Sequence, residues 1–158
     1  MIVVADTTPL HYLVLLNHAE ILQELYGRVI VPRAVAGELE ASRTPLAVRQ
    51  WIAGPPPWLE TRAVTVPPDP ALEGLDAGER EAIALAETLR ADALILDDKP
   101  ARREAERRQL RVIGTVRVLA DAAEAGLLDL PDALQRLQAL GFYLDTRLMQ
   151  LLLSRHLG

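Results

Sequence analysis

The chain has 158 residues, half of them apolar, and a formal net charge of −5 at pH 7. This length and apolar content predict one folded domain with a hydrophobic core rather than a disordered chain. The absence of cysteine excludes disulfides and thiolate metal sites, and the acidic balance argues against broad, non-specific binding to nucleic acid.

The first half of the chain alternates short apolar runs with helical patterns. Ile2–Ala5 is predicted to form a buried strand that ends at Asp6, and Thr8 is predicted to cap the helix that follows. The later patterns predict, in order, a helix over residues 19–26, a strand over 29–31, helices over 32–41 and 44–53, a strand over 58–66 and a proline-rich loop over 67–70.

The second half continues this alternation. Asp76 is predicted to cap a helix over residues 77–90, and a strand over 93–96 ends at the pair Asp97-Asp98. The remaining patterns predict a helix over 100–109, a strand over 110–113, a helix over 116–125 with Thr115 as its cap, and a C-terminal helical pair at about 131–156. Short apolar strands that alternate with helices are typical of an α/β fold with a parallel sheet covered on both faces. We therefore predict a single domain over residues 1–158.

Acidic residues follow two of the predicted strands. Asp6 comes directly after the first strand, and Asp97-Asp98 come after the strand over residues 93–96. Ligands of open α/β sheets bind at the carboxyl ends of the strands. Adjacent aspartates repel each other, which makes the pair a poor structural choice. Because adjacent residues leave a strand in opposite directions, either member of the pair could face a site.

Two glutamates on the predicted helices are further candidates. Glu38 borders the apolar stripe of its helix, whereas Glu40 projects elsewhere. Glu79 lies on the same helix face as apolar residues, whereas Glu81 falls in a more polar row, so Glu79 is the inward acid. Taken singly, Glu38 is better explained as a solvated helix-edge residue, and Glu79 equally well as a residue that complements the helix dipole.

The acids are more informative together than singly. Four carboxylate positions at strand ends and helix starts would repel one another unless cations neutralised them. Oxygen-only ligands suit Mg²⁺ or Mn²⁺. Such ions can activate water and stabilise the leaving oxygen of an in-line phosphodiester displacement, so the pattern predicts a metal-dependent phosphodiester-cleaving site.

Four segments of the chain resemble the PIN-domain nucleases: Val4–Leu10, Val31–Leu39, Leu75–Ala86 and Leu94–Arg102. The last two especially resemble the prokaryotic PIN-like branch related to the ribonuclease toxins of toxin–antitoxin pairs, and are similar to the family DUF3368. The resemblance covers roughly the chain up to Gly126. It implies a three-layer α/β/α fold with a central parallel sheet and a metal-dependent endoribonuclease site.

The resemblance also implies roles for individual residues. Thr8 would be a hydroxyl that positions substrate, and Glu79 stands where many relatives carry aspartate, which lengthens the ligand arm. Mg²⁺ or Mn²⁺ would be held by Asp6 and by Asp97 or Asp98. The catalytic acids that the resemblance implies are Asp6, Glu38, Glu79, Asp97 and Asp98.

A basic stretch follows the acidic pair. It can be interpreted as a contact surface for RNA phosphates or as a solvated helix face paired with Glu104 and Glu106, and the second interpretation is slightly favoured. Arg102 is the best single candidate for positioning substrate because it lies nearest the acids. The arginines of this stretch are Arg102, Arg103, Arg107, Arg108 and Arg111.

The functional prediction is a ribonuclease toxin with RNA as substrate, an antitoxin as a possible protein partner and a homodimer as the default assembly. We expect it in the cytoplasm and not in a membrane, since no signal-peptide pattern or membrane-spanning apolar run is present. The alternative is a PIN-fold binding module with weak or no catalysis. A phosphoacceptor receiver is disfavoured because Asp6 stands alone after the first strand and Lys99 lies directly beside the acidic pair.

Overall fold

The computed structural model describes residues 1–157, with side chains described through residue 155. The contacts within the chain divide it into two compact units, Met1–Thr115 and the residues from Val116 onward. The single domain over residues 1–158 stays a prediction.

Within the described residues, the first unit contains a five-stranded sheet in the order β3-β2-β1-β4-β5, and every neighbouring pair is parallel. Val3 pairs with Val29 on one side and with Ala93 on the other, so β1 is the central strand. The predicted α/β fold with a central parallel sheet is therefore confirmed. The strands are β1 (Val3–Ala5), β2 (Val29–Pro32), β3 (Leu59–Arg62), β4 (Ala93–Ile95) and β5 (Val112–Ile113).

The helices follow the predicted order. Most ends differ from the prediction by one or two residues, and a short 3₁₀ helix over Pro70–Leu72 begins at the last residue of the predicted proline-rich loop. The helices of the first unit are α1 (Thr7–Leu15), α2 (Ile21–Tyr26), α3 (Arg33–Glu40), α4 (Leu46–Ala53), α5 (Ala77–Leu89) and α6 (Lys99–Arg107). Those that follow are α7 (Thr115–Glu124), α8 (Leu130–Ala139) and α9 (Thr146–Leu157).

The core of the first unit lies on both faces of the sheet. Val4 and Leu94 belong to a buried cluster with Ile83 of α5 and Ala101 of α6 on one face. The alternate strand residues, such as Val3, are also fully buried and point to the opposite face. Burial on both faces explains why β1 and β4 are uninterrupted apolar runs.

Two boundary predictions were wrong for identifiable reasons. The helix α1 begins at Thr7 with Asp6 in the N-cap position, so Thr8 lies inside the helix and is not its cap. The strand β3 ends at Arg62 rather than Val66 because its partner β2 ends at Pro32, the residue paired with Arg62. Beyond that point the described residues offer β3 no neighbouring strand to pair with.

The end of α6 is tied to the loop before α5 by Arg108. Its guanidinium donates to Asp69 at 2.6 Å, to Glu87 at 2.8 Å and to Glu104 at 2.6 Å. Arg107 also pairs with Glu104. These two arginines of the basic stretch therefore have structural partners within the first unit.

In the second unit, α8 buries Leu130, Ala133, Leu134 and Leu137, which recur at helical spacing. The helices α8 and α9 correspond to the predicted C-terminal pair. Among the residues that the structure describes, no helix is both long enough and apolar enough to cross a membrane.

Candidate active site

Asp6 lies at the carboxyl end of the central strand. Its backbone N–H donates to the carbonyl of Ile95 at 2.9 Å, which keeps it level with the end of β4. The residue is only 4% exposed. Its Oδ1 atom is buried and accepts no hydrogen bond from any group in the described part of the chain. A buried carboxylate oxygen without a partner is unusual in a folded protein and is a candidate for binding a ligand.

The environment of Asp6 disfavours its charge. Burial raises the pKa of Asp6 to about 8, the N–H of Thr7 acts in the opposite direction, and the carboxylates of Asp76, Glu79 and Glu38 raise the pKa further. Strongly shifted carboxyl groups of this kind are concentrated at functional sites. The structure thus brings together three of the predicted acids, Asp6, Glu38 and Glu79, with Asp76 beside them.

Glu38 is held by two other helices. Its Oε2 accepts a short hydrogen bond from the Thr7 hydroxyl at the start of α1, and its Oε1 accepts the N–H of Gly78 in the first turn of α5 at 3.1 Å. Within the described residues it forms no ion pair with Arg33 or Arg43. Glu38 is therefore a fixed member of the acid cluster and not a solvated helix-edge residue.

Glu79 and Asp76 form a capping box at the start of α5. The Asp76 carboxylate accepts the N–H of Glu79 at 2.8 Å, and the Glu79 carboxylate accepts the N–H of Asp76 at 3.0 Å. Glutamate is one of the residues that close this motif. The glutamate at position 79, where many relatives carry aspartate, thus has a local structural role.

The side chain of Glu79 points inward as predicted, whereas Glu81 accepts the N–H of Ala34 at the start of α3. Burial raises the pKa of Glu79 to about 7. The N–H of Asp76 opposes this shift, and the carboxylates of Asp76, Asp98 and Glu38 add to it. A carboxyl group with this pKa can gain or lose a proton near neutral pH.

Asp76 is the acid whose contribution the sequence did not reveal. It reads as an ordinary helix cap, and it is one. Burial is the main cause of the raised pKa values of Asp6 and Glu79. Among the neighbouring carboxylates, Asp76 raises both pKa values most strongly. Its spacing from Glu79 was the available signal, because two acids in one capping box must lie close together.

The structure separates the two members of the acidic pair. Asp98 caps α6 by accepting the N–H of Ala101 at 3.2 Å, and its charge acts on Glu79. Asp97 instead accepts the N–H of Thr115 at 2.9 Å and the Thr115 hydroxyl at 2.6 Å. Burial raises the pKa of Asp97, while these hydrogen bonds and the charge of Arg102 lower it. Asp98 is thus one of the acids whose charge raises the pKa of Glu79, whereas Asp97 is held by Thr115.

The two predicted positioning residues have different surroundings. The hydroxyl that contacts the acid cluster belongs to Thr7, the residue before the predicted Thr8. Arg102 is half-buried near Asp97: a Cβ placed on Gly114 would lie 2.9 Å from both the Arg102 Nη1 and the Asp97 Oδ1 atoms. Thr115, predicted as a helix cap, directs its hydroxyl to Asp97.

The donor set of the cluster suits a hard divalent cation, because it consists of carboxylate oxygens and includes the unpartnered Oδ1 of Asp6. In the described chain, however, no three carboxylates converge closely enough to hold an ion between them. Hydrogen bonds from Thr7, Gly78 and Asp76 occupy oxygens of Glu38 and Glu79. Among the described acids of the cluster, Asp6 is the one with a buried oxygen that accepts no hydrogen bond.

Comparison with known proteins identifies the family. Residues 2–157 match the family DUF3368, described as a PIN domain. The chain belongs to this PIN-domain family. PIN domains are generally nucleases, and PIN-domain nucleases typically use divalent metal ions.

A structural relative agrees with this assignment at the level of the fold. The chain is similar to a PilT N-terminus domain protein from the hyperthermophilic archaeon Sulfolobus solfataricus P2, with a TM-score of 0.56 and 21% sequence identity. The match covers 77% of this chain and 93% of the archaeal chain. No functionally curated protein matches the sequence significantly. The comparisons thus support a nuclease-type fold.

The buried Asp6 makes stability depend on pH in the metal-free protein. Because burial raises the pKa of Asp6 from an ordinary value of 3.8 to about 8 in the folded state, the stability contributed by its proton is lost as the pH rises toward 8. Asp6→Asn removes this loss. We expect the free energy of unfolding of the variant, relative to wild type, to increase by at least about 1 kcal/mol between pH 5 and pH 8.

Urea denaturation in the presence of a chelator measures this difference. Asp129→Asn is the matched control, because Asp129 is exposed and its side chain caps nothing. If the difference in the free energy of unfolding between Asp6→Asn and wild type does not change with pH, the buried environment assigned to Asp6 is contradicted.

Proposed function

We propose that this chain is a metal-dependent endoribonuclease that hydrolyses RNA phosphodiester bonds. The observation that carries the proposal is the buried Oδ1 atom of Asp6, which accepts no hydrogen bond within the described residues and lies among other carboxylates at the carboxyl edge of the sheet. Membership of a PIN-domain family supports a nuclease at this position in the fold.

The residues that would hold Mg²⁺ or Mn²⁺ are Asp6, Glu79 and Asp98, with Glu38 beside them. A divalent cation there would supply Lewis-acid polarisation of the phosphodiester and ease deprotonation of the attacking water. Asp6 must give up its proton before it can serve as a ligand. We assign Asp97 a positioning role, since both of its oxygens accept hydrogen bonds from Thr115.

Each residue would contribute differently to the reaction. Glu79, whose pKa is about 7, would lose its proton near neutral pH and so become available as a ligand. Glu38 is fixed by Thr7 and Gly78 and would keep its carboxylate at a constant distance from Asp6. Arg102 lies near Asp97, and its guanidinium would contact an RNA phosphate there.

We further propose that the enzyme acts in the cytoplasm as the toxin of a toxin–antitoxin pair, as a homodimer restrained by a protein partner. The similarity of Leu75–Ala86 and Leu94–Arg102 to that branch of PIN-domain nucleases supports this role.

A second candidate is a PIN-fold binding module with little or no catalysis. Two observations favour this alternative. Hydrogen bonds already occupy oxygens of Glu38 and Glu79, and no three described carboxylates converge on one point. The two candidates differ in whether addition of Mn²⁺ produces cleavage that depends on Asp6.

The nuclease proposal predicts cleavage of RNA by the purified protein in Mn²⁺ and none in excess chelator. Asp6→Asn and Glu38→Gln should each lower the rate by at least about 10-fold. Glu40→Gln is the matched control, because Glu40 is exposed on the same helix as Glu38, and it should leave the rate unchanged. The rate is measured on a panel of fluorescently labelled RNAs of varied sequence.

Two results would distinguish the candidates. Cleavage that survives Asp6→Asn would indicate a contaminating nuclease and contradict the proposal. Calorimetric binding of Mn²⁺ that requires Asp6, without cleavage of any RNA in the panel, would support the binding module.

The toxin role predicts that induced expression in a bacterial host arrests growth and that Asp6→Asn abolishes the arrest. Glu40→Gln should arrest growth as wild type does. The measurement is the growth rate after induction at matched protein levels. Normal growth with an active purified enzyme would reject the toxin role and leave the nuclease proposal in place.

A further inference from the structure

Gly78 provides the space in which Glu38 meets α5. A Cβ added at Gly78 would lie 2.7 Å from Oε1 and 2.9 Å from Oε2 of Glu38, and 3.0 Å from its Cδ. Contacts this short do not persist in folded proteins, so any side chain at position 78 would push the carboxylate away. The approach of Glu38 to the first turn of α5 therefore depends on a glycine at this position.

The backbone at Gly78 gives no other reason for a glycine. Among described residues, the glycines with positive φ are Gly27, Gly126 and Gly141, and Gly78 instead lies within α5. Glycine in a helix is less favourable than alanine because it loses more conformational freedom on folding. Gly78 thus weakens the helix, but its lack of a side chain leaves room for the Glu38 carboxylate.

The contact also fixes Glu38 relative to the other acids. Gly78 directly precedes Glu79, and its N–H donates to Glu38. Thr7 directly follows Asp6, and its hydroxyl donates to the other oxygen of Glu38. The carboxylate of Glu38 is therefore held between the two residues whose pKa values are raised most clearly. The first-turn N–H of α5 also offers the partial positive charge of a helix N-terminus.

We propose that Gly78 is a positioning residue of the acid cluster: its missing side chain lets Glu38 dock on α5, where Gly78 and Thr7 hold the Glu38 carboxylate toward Asp6 and Glu79. The consequence for cation binding rests on the proposed function. The contact itself does not, so the two can be tested separately.

The contact predicts that Gly78→Ala has effects of different size with and without the Glu38 carboxylate. In the Glu38→Ala background, alanine at position 78 should raise the thermal midpoint, because it strengthens the helix and displaces nothing. In the wild-type background it displaces the carboxylate, so the midpoint should fall or rise less. The measurement is the thermal midpoint of all four proteins in excess chelator, which forms a double-mutant cycle.

Gly37→Ala is the matched control. Gly37 lies in α3, and a Cβ there would meet nothing within 4 Å, so alanine should raise the midpoint equally in both backgrounds. If Gly78→Ala alone fails to fold while the double variant folds, the coupling is supported. An equal effect of Gly78→Ala in both backgrounds, including equal failure to fold, would overturn the proposal.

Cation binding supplies a second readout. Calorimetric titration with Mn²⁺ should show a loss of affinity of about 10-fold or more for Gly78→Ala and none for Gly37→Ala. Unchanged affinity in Gly78→Ala would overturn the positioning role. If wild type does not bind Mn²⁺, the proposed function fails, and the thermal cycle alone decides whether Gly78 positions Glu38.

Discussion

Parallel pairing of the strands is the constraint on which the rest of this structure depends. Because β1 pairs with β2 and β4 in the same direction, the chain leaves all three strands at one edge of the sheet. Asp6 leaves β1 at this edge, and the helix that carries Glu38 starts directly after β2. The acids come from distant parts of the sequence, and the sheet brings the segments that carry them together.

The grouping of like charges has an energetic cost that hydrogen bonds only partly offset. Glu38 and Glu79 each accept N–H groups at the start of α5, whose partial positive charge favours carboxylates. Asp6 has one oxygen without such a partner and is the most deeply buried acid of the group. Burial, more than the neighbouring carboxylates, raises the pKa of Asp6 to about 8, so the metal-free state favours a protonated Asp6. Asp6 must lose its proton to bind a cation, whereas the fold is more stable with that proton. Function and stability should therefore conflict at Asp6.

Much of the fold could be predicted from the sequence because short-range patterns of apolar residues determine most of its strands and helices. The apolar runs at β1 and β4 and the helical spacing in α5 identify their elements without knowledge of tertiary contacts. The helical spacing within α5 also identified Glu79, rather than Glu81, as the inward-facing acid. The ends of elements were less predictable: the length of β3 depends on where β2 stops, and the start of α1 decided that Thr7, not Thr8, contacts Glu38.

The parts of the site that could not be predicted depend on distant residues. The distinction between Asp97 and Asp98 requires knowing that Thr115 lies beside Asp97. Asp76 has a sufficient local explanation as a helix cap, which hid its proximity to Asp6. The role of Gly78 is visible only when the position of Glu38 is known, since its helical backbone does not require glycine.

We propose that Asp6 anchors a cation-binding cluster with Glu38, Glu79 and Asp98. The most direct test is anomalous X-ray diffraction from crystals grown with Mn²⁺, which locates the ion without reference to activity. We expect one strong anomalous peak within coordination distance of the Asp6 carboxylate, and its loss in Asp6→Asn. A peak confined to Asp97 and Thr115, or no peak near Asp6 at saturating Mn²⁺, would contradict it.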